Sequence, residues 1–373
     1  MDFEAYPFEK LTSLLRDITP KDSYSPLTLT IGEPQFQTPD FIQQELKSNS
    51  HLLNKYPKTA GEAILRNAQI GFVKNRFGVK LEDEQIIPTF GTREVLFNFP
   101  QFLLFDIKEP VMAFTNPFYQ IYEGAAIASR AKIVHINLTK ENNFKAEINP
   151  EILKNCHLVI INFPNNPTTS TLNLSELSKW AKAAQDYDFV LINDECYSEI
   201  YTSSPPPSLL EASIAVGNSE FKNILVVNSI SKRSSAPGLR SGFIAGDSEI
   251  LKSYMKYRTY IGCATPLPLQ CASAIAWGDE AHVEKNRDRY RKNFSLAQEI
   301  LGCDIPESTF YIWLEVEDDL EFTKKLYKEK NLKLLPGSFL SRGNFNTKHV
   351  RIALVEDEAK TKNALLRIKK YVK

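Results

Sequence analysis

Residues 224–240 read ILVVNSISKRSSAPGLR, and this stretch decides the fold. Its first four residues are aliphatic and mostly β-branched, which predicts a buried strand. The chain then passes into small hydroxyl residues, a single lysine at position 232, and a Pro-Gly turn that is followed by Arg240. Burial lowers the pKa of a lysine and frees its amine to attack a carbonyl. Hydroxyl groups and an arginine are suitable ligands for a phosphate.

An amine nucleophile beside a phosphate clamp suits pyridoxal 5′-phosphate (PLP), which carries both an aldehyde and a phosphate. The simpler alternative is an exposed loop lysine, because short motifs of this kind often occur by chance. Residues at the ends of the other predicted strands decide between a PLP-binding lysine and an exposed loop lysine.

The middle of the chain alternates short apolar runs with helical periodicity. Along 174–187, for example, Leu174, Leu177, Trp180, Ala181 and Ala184 share one helix face. This alternation predicts an α/β fold, with a large domain whose mostly parallel sheet lies between helices. Ligands of such sheets bind at the carboxyl ends of the strands. The predicted strands are 86–90, 111–114, 133–137, 157–163, 189–193, 224–228 and 242–245.

A second, smaller α+β unit is predicted after the sheet. The pattern there indicates strands at 309–316 and 350–354. Helices are expected at 280–301, 320–330 and 358–371. The first 45 residues contain no obvious sheet of their own and are expected to pack with this unit. The predicted division is a large PLP-binding domain over 47–277 and a small domain formed by 1–46 and 278–373.

Composition excludes several classes of protein. Lys plus Arg and Asp plus Glu both number 45, so no basic field is available for nucleic acid or an anionic membrane. No apolar run reaches the length of a membrane span, and the acidic start has no secretory signal. The five cysteines form no C-x-x-C pair, and the five histidines lack metal-ligand spacing, so no metal site is expected. A cytoplasmic protein is the default expectation.

Other predicted strand ends carry groups that suit the same cofactor. Gly91 and Thr92 can leave helix N–H groups open to an anion. Tyr119 can stack on a ring. Asp194 is costly to bury unless it meets a positive group such as a protonated pyridine nitrogen, and Tyr197 can reach the 3-oxygen of that ring. Each residue also has a simpler explanation as a helix cap, a core aromatic or part of a turn.

Together, and in this order, the motifs resemble those of the class I and II aminotransferases, PLP enzymes of fold type I. The resemblance covers essentially the whole chain. The matching segments are 31–34 (IGEP), 56–57 (YP) with Gly61 and 65–66 (LR), 91–94 (GTRE), 117–119 (PFY), 164–168 (PNNPT), 194–197 (DECY), 229–232 (SISK), 238–240 (GLR) and 350–352 (VRI).

The resemblance implies roles for these residues. Lys232 would bind the cofactor aldehyde and move the proton between the substrate α-carbon and the C4′ atom, while Asp194 would keep the pyridine nitrogen protonated. Arg351 would bind the substrate α-carboxylate, helped by Gly32 and Asn166. The other cofactor contacts implied are Asn166 and Tyr197 to the 3-oxygen and Tyr119 to the ring. The phosphate would be held by Ser229, Ser231 and Arg240 and by the backbone of Thr92 and Arg93, beside Gly91. Tyr56 would reach the phosphate of the neighbouring subunit, which implies a homodimer.

One position departs from the family pattern. The family usually has glycine after Asn-Pro-Thr, whereas this chain has Thr169. If the loop needs a positive φ there, a β-branched residue is strained.

A second, more specific resemblance narrows the choice of substrate. Segments 116–125, 258–266 and 350–355, together with the opening 6–11, resemble the proteobacterial succinyldiaminopimelate aminotransferases. These enzymes exchange an amino group between glutamate and N-succinyl-2-amino-6-oxopimelate in diaminopimelate and lysine biosynthesis. The alternatives left open are an aspartate or aromatic aminotransferase, a PLP-dependent C–S lyase, and, less favoured, a non-catalytic regulator. Arg342 is a candidate for a distal carboxylate, although a solvated surface arginine is the simpler interpretation.

Overall fold

The computed structural model describes residues 3–343 and 345–372. Its strands are β1 (Leu27–Thr28), β2 (Ile86–Thr89), β3 (Val111–Asn116), β4 (Lys132–Asn137), β5 (Leu158–Ile161), β6 (Val190–Asp194), β7 (Ile224–Ser229), β8 (Gly242–Gly246), β9 (Tyr311–Glu315), β10 (Leu332–Lys333), β11 (Leu335–Pro336) and β12 (His349–Ala353). Its α-helices are α1 (Pro7–Leu15), α2 (Asp40–Ser48), α3 (Ala63–Phe77), α4 (Thr92–Leu103), α5 (Ile121–Ala128), α6 (Pro150–Leu153), α7 (Leu174–Asp186), α8 (Leu209–Ala215), α9 (Ile230–Arg233), α10 (Ser248–Ile261), α11 (Leu267–Gly278), α12 (Ala281–Leu301), α13 (Asp319–Lys330) and α14 (Glu358–Ile368).

A seven-stranded sheet organises the larger part of the fold. Its strand order is β2-β8-β7-β6-β5-β3-β4. Strands β7, β6, β5, β3 and β4 pair in parallel, and β8 is antiparallel to both of its neighbours. All seven predicted strands form, with ends within two residues of the predicted ones, so the α/β prediction is confirmed.

Both faces of this sheet are buried, which explains the continuous apolar runs in the sequence. In β5, Leu158 and Ile160 belong to the core cluster on one face, and Val159 and Ile161 belong to the cluster on the other. All four side chains are fully buried. This alternation follows from the two-residue period of a strand, and a sheet covered by helices on both sides requires apolar residues at every position.

The smaller unit is built on the antiparallel sheet β11-β12-β9. A separate core cluster joins it to α12, α13 and α14 and includes Leu29 from the N-terminal segment. The N-terminal segment contributes a short strand that the sequence did not indicate: β1 pairs in parallel with β10, Leu27 opposite Leu332. A two-residue strand is too short to give a periodic signal. The domain division at 46/47 and 277/278 stays a prediction.

Within the described residues, no helix is both long and apolar enough to cross a membrane.

Candidate active site

A cavity of about 910 Å³ opens at the carboxyl ends of the parallel strands. Asn162 follows β5, while Asp194 and Ser229 end β6 and β7, and all three line this cavity. Most of the predicted site residues line this cavity: Gly32, Thr92, Arg93, Tyr119, Asn166, Asp194, Tyr197, Ser229, Ser231, Lys232, Arg240 and Arg351. Gly91 adjoins the cavity through Thr92, and Tyr56 lies outside it, fully exposed.

Lys232 lies in α9, the single helical turn that follows β7. The Ser229 hydroxyl caps this turn by accepting a hydrogen bond from the Ser231 amide at 3.1 Å. The Lys232 ammonium donates to the Gly32 carbonyl, a contact that joins residues 200 positions apart. Burial lowers the pKa of Lys232 to about 8, although the nearby Cys196, Glu33 and Asp194 oppose this shift. A sizeable fraction of this amine is therefore neutral near physiological pH and able to act as a nucleophile or base.

Asp194 ends β6 and is only 5% exposed. Its carboxylate accepts hydrogen bonds from the Tyr122 hydroxyl at 2.8 Å and the Cys196 amide at 3.2 Å. Burial raises the pKa of Asp194, and these two donors and Lys232 oppose the rise. A buried carboxylate aimed into a cavity is a site for a cationic group, such as a protonated ring nitrogen.

Arg351 projects from β12 and is only 4% exposed. One terminal nitrogen donates to the Asn166 side-chain oxygen at 2.7 Å, and the other donates to the Thr30 carbonyl at 2.6 Å. The guanidinium lies over the Tyr311 ring, 4.4 Å from its centroid. Its Nε is buried without a partner among the described residues, so this N–H remains available to donate a hydrogen bond to a carboxylate.

The N-terminus of α4 forms an anion cradle. Gly91 precedes the helix with φ +74°, and no side chain caps the first turn. A Cβ at Gly91 would lie 2.3 Å from an Arg240 terminal nitrogen, so only glycine lets that guanidinium approach the helix end. Arg240 is itself anchored by the Pro237 carbonyl at 2.8 Å. Open helix N–H groups beside a guanidinium suit a phosphate.

The remaining predicted residues surround this cradle or face the substrate side. The Tyr119 hydroxyl accepts a hydrogen bond from Arg93 Nε at 2.7 Å. The Tyr197 hydroxyl lies 3.0 Å from that of Tyr311. Asn166 is held in place by its backbone amide, which donates to Asn162 at 2.9 Å.

Thr169 adopts φ +67°, as the glycine of the family pattern would. Its amide donates to the Asn165 carbonyl at 3.0 Å, so the turn closes with threonine in place. The positive φ that was expected to strain a β-branched residue is therefore present in the loop that carries Asn166.

Sequence reasoning assigned no role to several groups of the site. Tyr122 donates to Asp194, and Asn162 donates to the Asp194 carbonyl at 2.7 Å. The Cys196 thiol lies 3.3 Å from the Thr92 hydroxyl. The sequence does contain a signal for Tyr122. It follows Tyr119 by three residues at the start of a helix, and residues at that spacing lie on the same face. Tyr311 comes from the other unit of the chain, and no local pattern relates it to Tyr197.

Arg342 is not the solvated surface arginine that the sequence favoured. Its side chain is 20% exposed and pairs with Glu123 at 2.5 Å, and its guanidinium lies 5.3 Å from the Phe118 ring centroid. It is absent from the cavity lining. The acidic partner on α5, more than 200 residues away in sequence, could not be inferred from the segment around Arg342.

Comparison with known proteins identifies the family. The family model for aminotransferases of class I and II matches residues 25–368. The chain is a class I and II aminotransferase. The crystal structure of aminotransferase AspB from Helicobacter pylori 26695 is 51% identical, with a TM-score of 0.97 over 100% of this chain and 99% of that one. An aminotransferase from Neisseria meningitidis Z2491 is 38% identical, with a TM-score of 0.94 over 99% and 98% of the two chains.

One related protein is named after its substrate. The LL-diaminopimelate aminotransferase of Aquifex aeolicus is 30% identical over 360 residues, which are 92% of this chain and 90% of the relative.

The aminotransferase is PLP-dependent, as its family is, and it acts on amino acids and 2-oxo acids. Its residues fit the cofactor: a desolvated amine at Lys232, a buried acid at Asp194, and a cradle that the absence of a Cβ at Gly91 keeps open. When bound, PLP supplies an electron sink for charge that develops at the substrate α-carbon.

Proposed function

We propose that the aminotransferase exchanges amino groups between glutamate and N-succinyl-2-amino-6-oxopimelate, which becomes N-succinyl-LL-2,6-diaminopimelate. The observation that carries this proposal is a large cavity lined by four cationic side chains, Lys232, Arg93, Arg240 and Arg351. A bulky polycarboxylate needs both the volume and the charge. The relative named LL-diaminopimelate aminotransferase supports a substrate of this kind, and so does the sequence resemblance to succinyldiaminopimelate aminotransferases.

The cavity also has an apolar wall on the side of the N-terminal segment. It comprises Pro7, Phe8, Phe97, Leu335 and Leu340. Aspartate and glutamate have no long methylene chain to cover such a wall, whereas the pimelate backbone of the proposed substrate does. Burial of methylene groups there contributes about 0.8 kcal/mol each.

Within this proposal the residues have distinct tasks. Lys232 moves the proton from the substrate α-carbon, and Asp194 keeps the ring nitrogen protonated. Arg351 binds the α-carboxylate, with Asn166 and the Gly32 backbone beside it. Other cofactor contacts are assigned to Thr92, Arg93, Ser229, Ser231 and Arg240 at the phosphate, to Tyr119 at the ring face, and to Asn166 and Tyr197 at the 3-oxygen. The two half-reactions alternate in a ping-pong cycle.

A homodimer is part of the proposal. Tyr56 is fully exposed, although its predicted partner is a phosphate, and Leu53, Ile64 and Tyr260 are exposed as well. Large aromatic side chains are among the residue types that protein–protein interfaces use. A second copy of the chain would bury them and bring Tyr56 to its partner's cofactor.

The deciding experiment follows the visible absorption of the holoenzyme as amino donors are added. We expect glutamate to convert the spectrum, 2-oxoglutarate to restore it, and succinyldiaminopimelate to give a higher kcat/KM than aspartate or phenylalanine. Turnover of aspartate or phenylalanine with no response to succinyldiaminopimelate would refute the proposed substrate. Release of pyruvate from cystathionine without an acceptor oxo acid would identify a C–S lyase instead.

A further inference from the structure

Tyr311 lines the cavity, although no contact with cofactor or substrate is assigned to it. It belongs to β9 of the smaller unit and is only 2% exposed. Its hydroxyl lies 3.0 Å from that of Tyr197. A Cβ at Gly32 would come within 1.7 Å of the Tyr311 hydroxyl oxygen, so glycine leaves the room that this hydroxyl occupies. A phenylalanine would pack in the same place without this close approach, so packing alone does not account for the hydroxyl.

The Tyr311 ring lies beneath Arg351. In the antiparallel pair of β9 and β12, Arg351 is opposite Trp313, two residues along the strand from Tyr311. Opposite residues share a face of the sheet, and so do residues two apart on one strand, so Arg351 and Tyr311 are diagonal neighbours. The guanidinium carbon lies 4.4 Å from the ring centroid. An aromatic face attracts a guanidinium, so the ring restrains Arg351 where it enters the cavity.

The Tyr311 hydroxyl is the hydrogen-bond partner of the Tyr197 hydroxyl within residues 3–343 and 345–372. Burial raises the pKa of Tyr197, and the neighbouring Tyr311 raises it further, so the Tyr197 phenol keeps its proton. A phenol has one proton to donate. If Tyr197 donates to the cofactor 3-oxygen, the bond between the two tyrosines has Tyr311 as its donor. Hydrogen bonds in a chain polarise one another, so this donor makes Tyr197 a stronger donor in turn.

We propose that Tyr311 is a positioning residue for both halves of the site: its ring holds Arg351 in place for the α-carboxylate, and its hydroxyl donates to Tyr197 and strengthens the hydrogen bond from Tyr197 to the 3-oxygen. The inference rests on the roles proposed for Arg351 and Tyr197, and it does not depend on the succinylated substrate. It also gives the smaller unit a part in setting the properties of a cofactor that the larger unit holds.

The hydroxyl is tested by titrating the visible absorbance of the holoenzyme with pH in the absence of substrate. A hydrogen bond to the 3-oxygen stabilises negative charge on it, so a weaker bond moves the midpoint of the titration to higher pH. We expect Tyr311→Phe, which keeps the ring, to raise the midpoint by about 0.3–1 pH unit, no more than the loss of one hydrogen bond. In a Tyr197→Phe background the same substitution should add no shift, because the effect passes through the Tyr197 hydroxyl.

The ring is tested with glutarate, a non-reacting dicarboxylate whose binding is followed by the absorbance of the bound cofactor. We expect the dissociation constant of glutarate to stay within about twofold of wild type in Tyr311→Phe, and to rise about 3- to 10-fold in Tyr311→Leu, which removes the aromatic face.

Tyr290→Phe is the matched control. Tyr290 is also 2% exposed and packs against Phe310, but it lies outside the cavity lining. Its hydroxyl is buried without a hydrogen-bond partner in the described part of the chain. Removing this hydroxyl should change neither the midpoint nor the binding of glutarate.

An unchanged midpoint in Tyr311→Phe would overturn the proposal, and so would an equal shift in Tyr290→Phe or an undiminished shift in the Tyr197→Phe background. Wild-type affinity for glutarate in Tyr311→Leu would refute the role of the ring. If Tyr197→Phe alone leaves the midpoint unchanged, the assignment of Tyr197 to the 3-oxygen fails and the role of the hydroxyl fails with it. If Tyr311→Phe shifts the midpoint but the wild type does not turn over succinyldiaminopimelate, the proposed substrate fails and the Tyr311 inference stands.

Discussion

The pKa of Lys232 can be measured directly. Its pKa is lowered from 10.5 to about 8 because its pocket excludes water. Only the neutral amine attacks an aldehyde, so the rate of covalent PLP capture by the cofactor-free protein should rise about tenfold per pH unit below 8 and level off above it. Stopped-flow absorbance gives this rate as a function of pH.

Lys232→Arg is the control for that profile, since it keeps a cation but has no amine to react, and it should show no covalent capture at any pH. A wild-type rate that continues to rise up to pH 10 would contradict the lowered pKa. The unfolded chain binds a proton at this position between about pH 8 and 10.5 that the folded chain has released. In that window this group therefore makes the folded, cofactor-free protein more stable as pH rises.

Helix α4 depends on the glycine that precedes it. Gly91→Ala should lower PLP affinity by tenfold or more, because its Cβ would displace the Arg240 guanidinium from the cradle, and about 1.4 kcal/mol corresponds to tenfold. Gly78→Ala is the matched control: Gly78 has φ +66° after α3, and an added Cβ there meets open space. Both variants should lose about 1–2 kcal/mol of stability from backbone strain, but only the first should lose cofactor affinity, as measured by dialysis.

The same helix is tied to the rest of the fold by a buried ion pair. Glu94 and Arg258 have side chains only 5% and 1% exposed, and Arg258 also donates to the carbonyls of Thr59 and Cys263, both at 2.7 Å. Glu94→Gln should cost about 3–5 kcal/mol in the free energy of unfolding, since it leaves a buried arginine without its counter-charge. Denaturant titration measures this cost.

Glu151→Gln breaks a pair with Lys154 that is largely exposed, so its effect should stay within about 1 kcal/mol. Similar losses in the two variants would show that burial of the Glu94 pair does not govern its contribution.

The elements also explain how far the sequence could predict the site. Asn166, Asp194 and Lys232 follow successive buried strands, and parallel strands bring their carboxyl ends to one edge, so their convergence was predictable. Contacts between segments that are distant in sequence could not be predicted, because no local sequence pattern encodes them. Examples are Arg351 with the Thr30 carbonyl, 321 residues apart, and Arg258 with Glu94, 164 residues apart.

At the scale of the whole molecule, Tyr56 makes the proposed dimer testable. Tyr56→Phe should lower PLP affinity about tenfold, because it removes one hydrogen bond to a charged group, while the protein still sediments as a dimer. Tyr260→Phe is the matched control, since Tyr260 is also exposed and has no proposed cofactor contact. Equilibrium dialysis with sedimentation velocity distinguishes the two effects. A wild-type protein that sediments at 42.4 kDa with PLP bound would refute the dimer.

The pairing of β1 with β10 and the bond from Arg351 to the Thr30 carbonyl join the start of the chain to segments that are synthesised last. A ribosome releases the segments that carry Gly91, Asp194, Lys232 and Arg240 well before it releases Arg351, and domains fold as units during synthesis. The N-terminal segment and Arg351 can therefore make these two contacts only after nearly the whole chain has been synthesised.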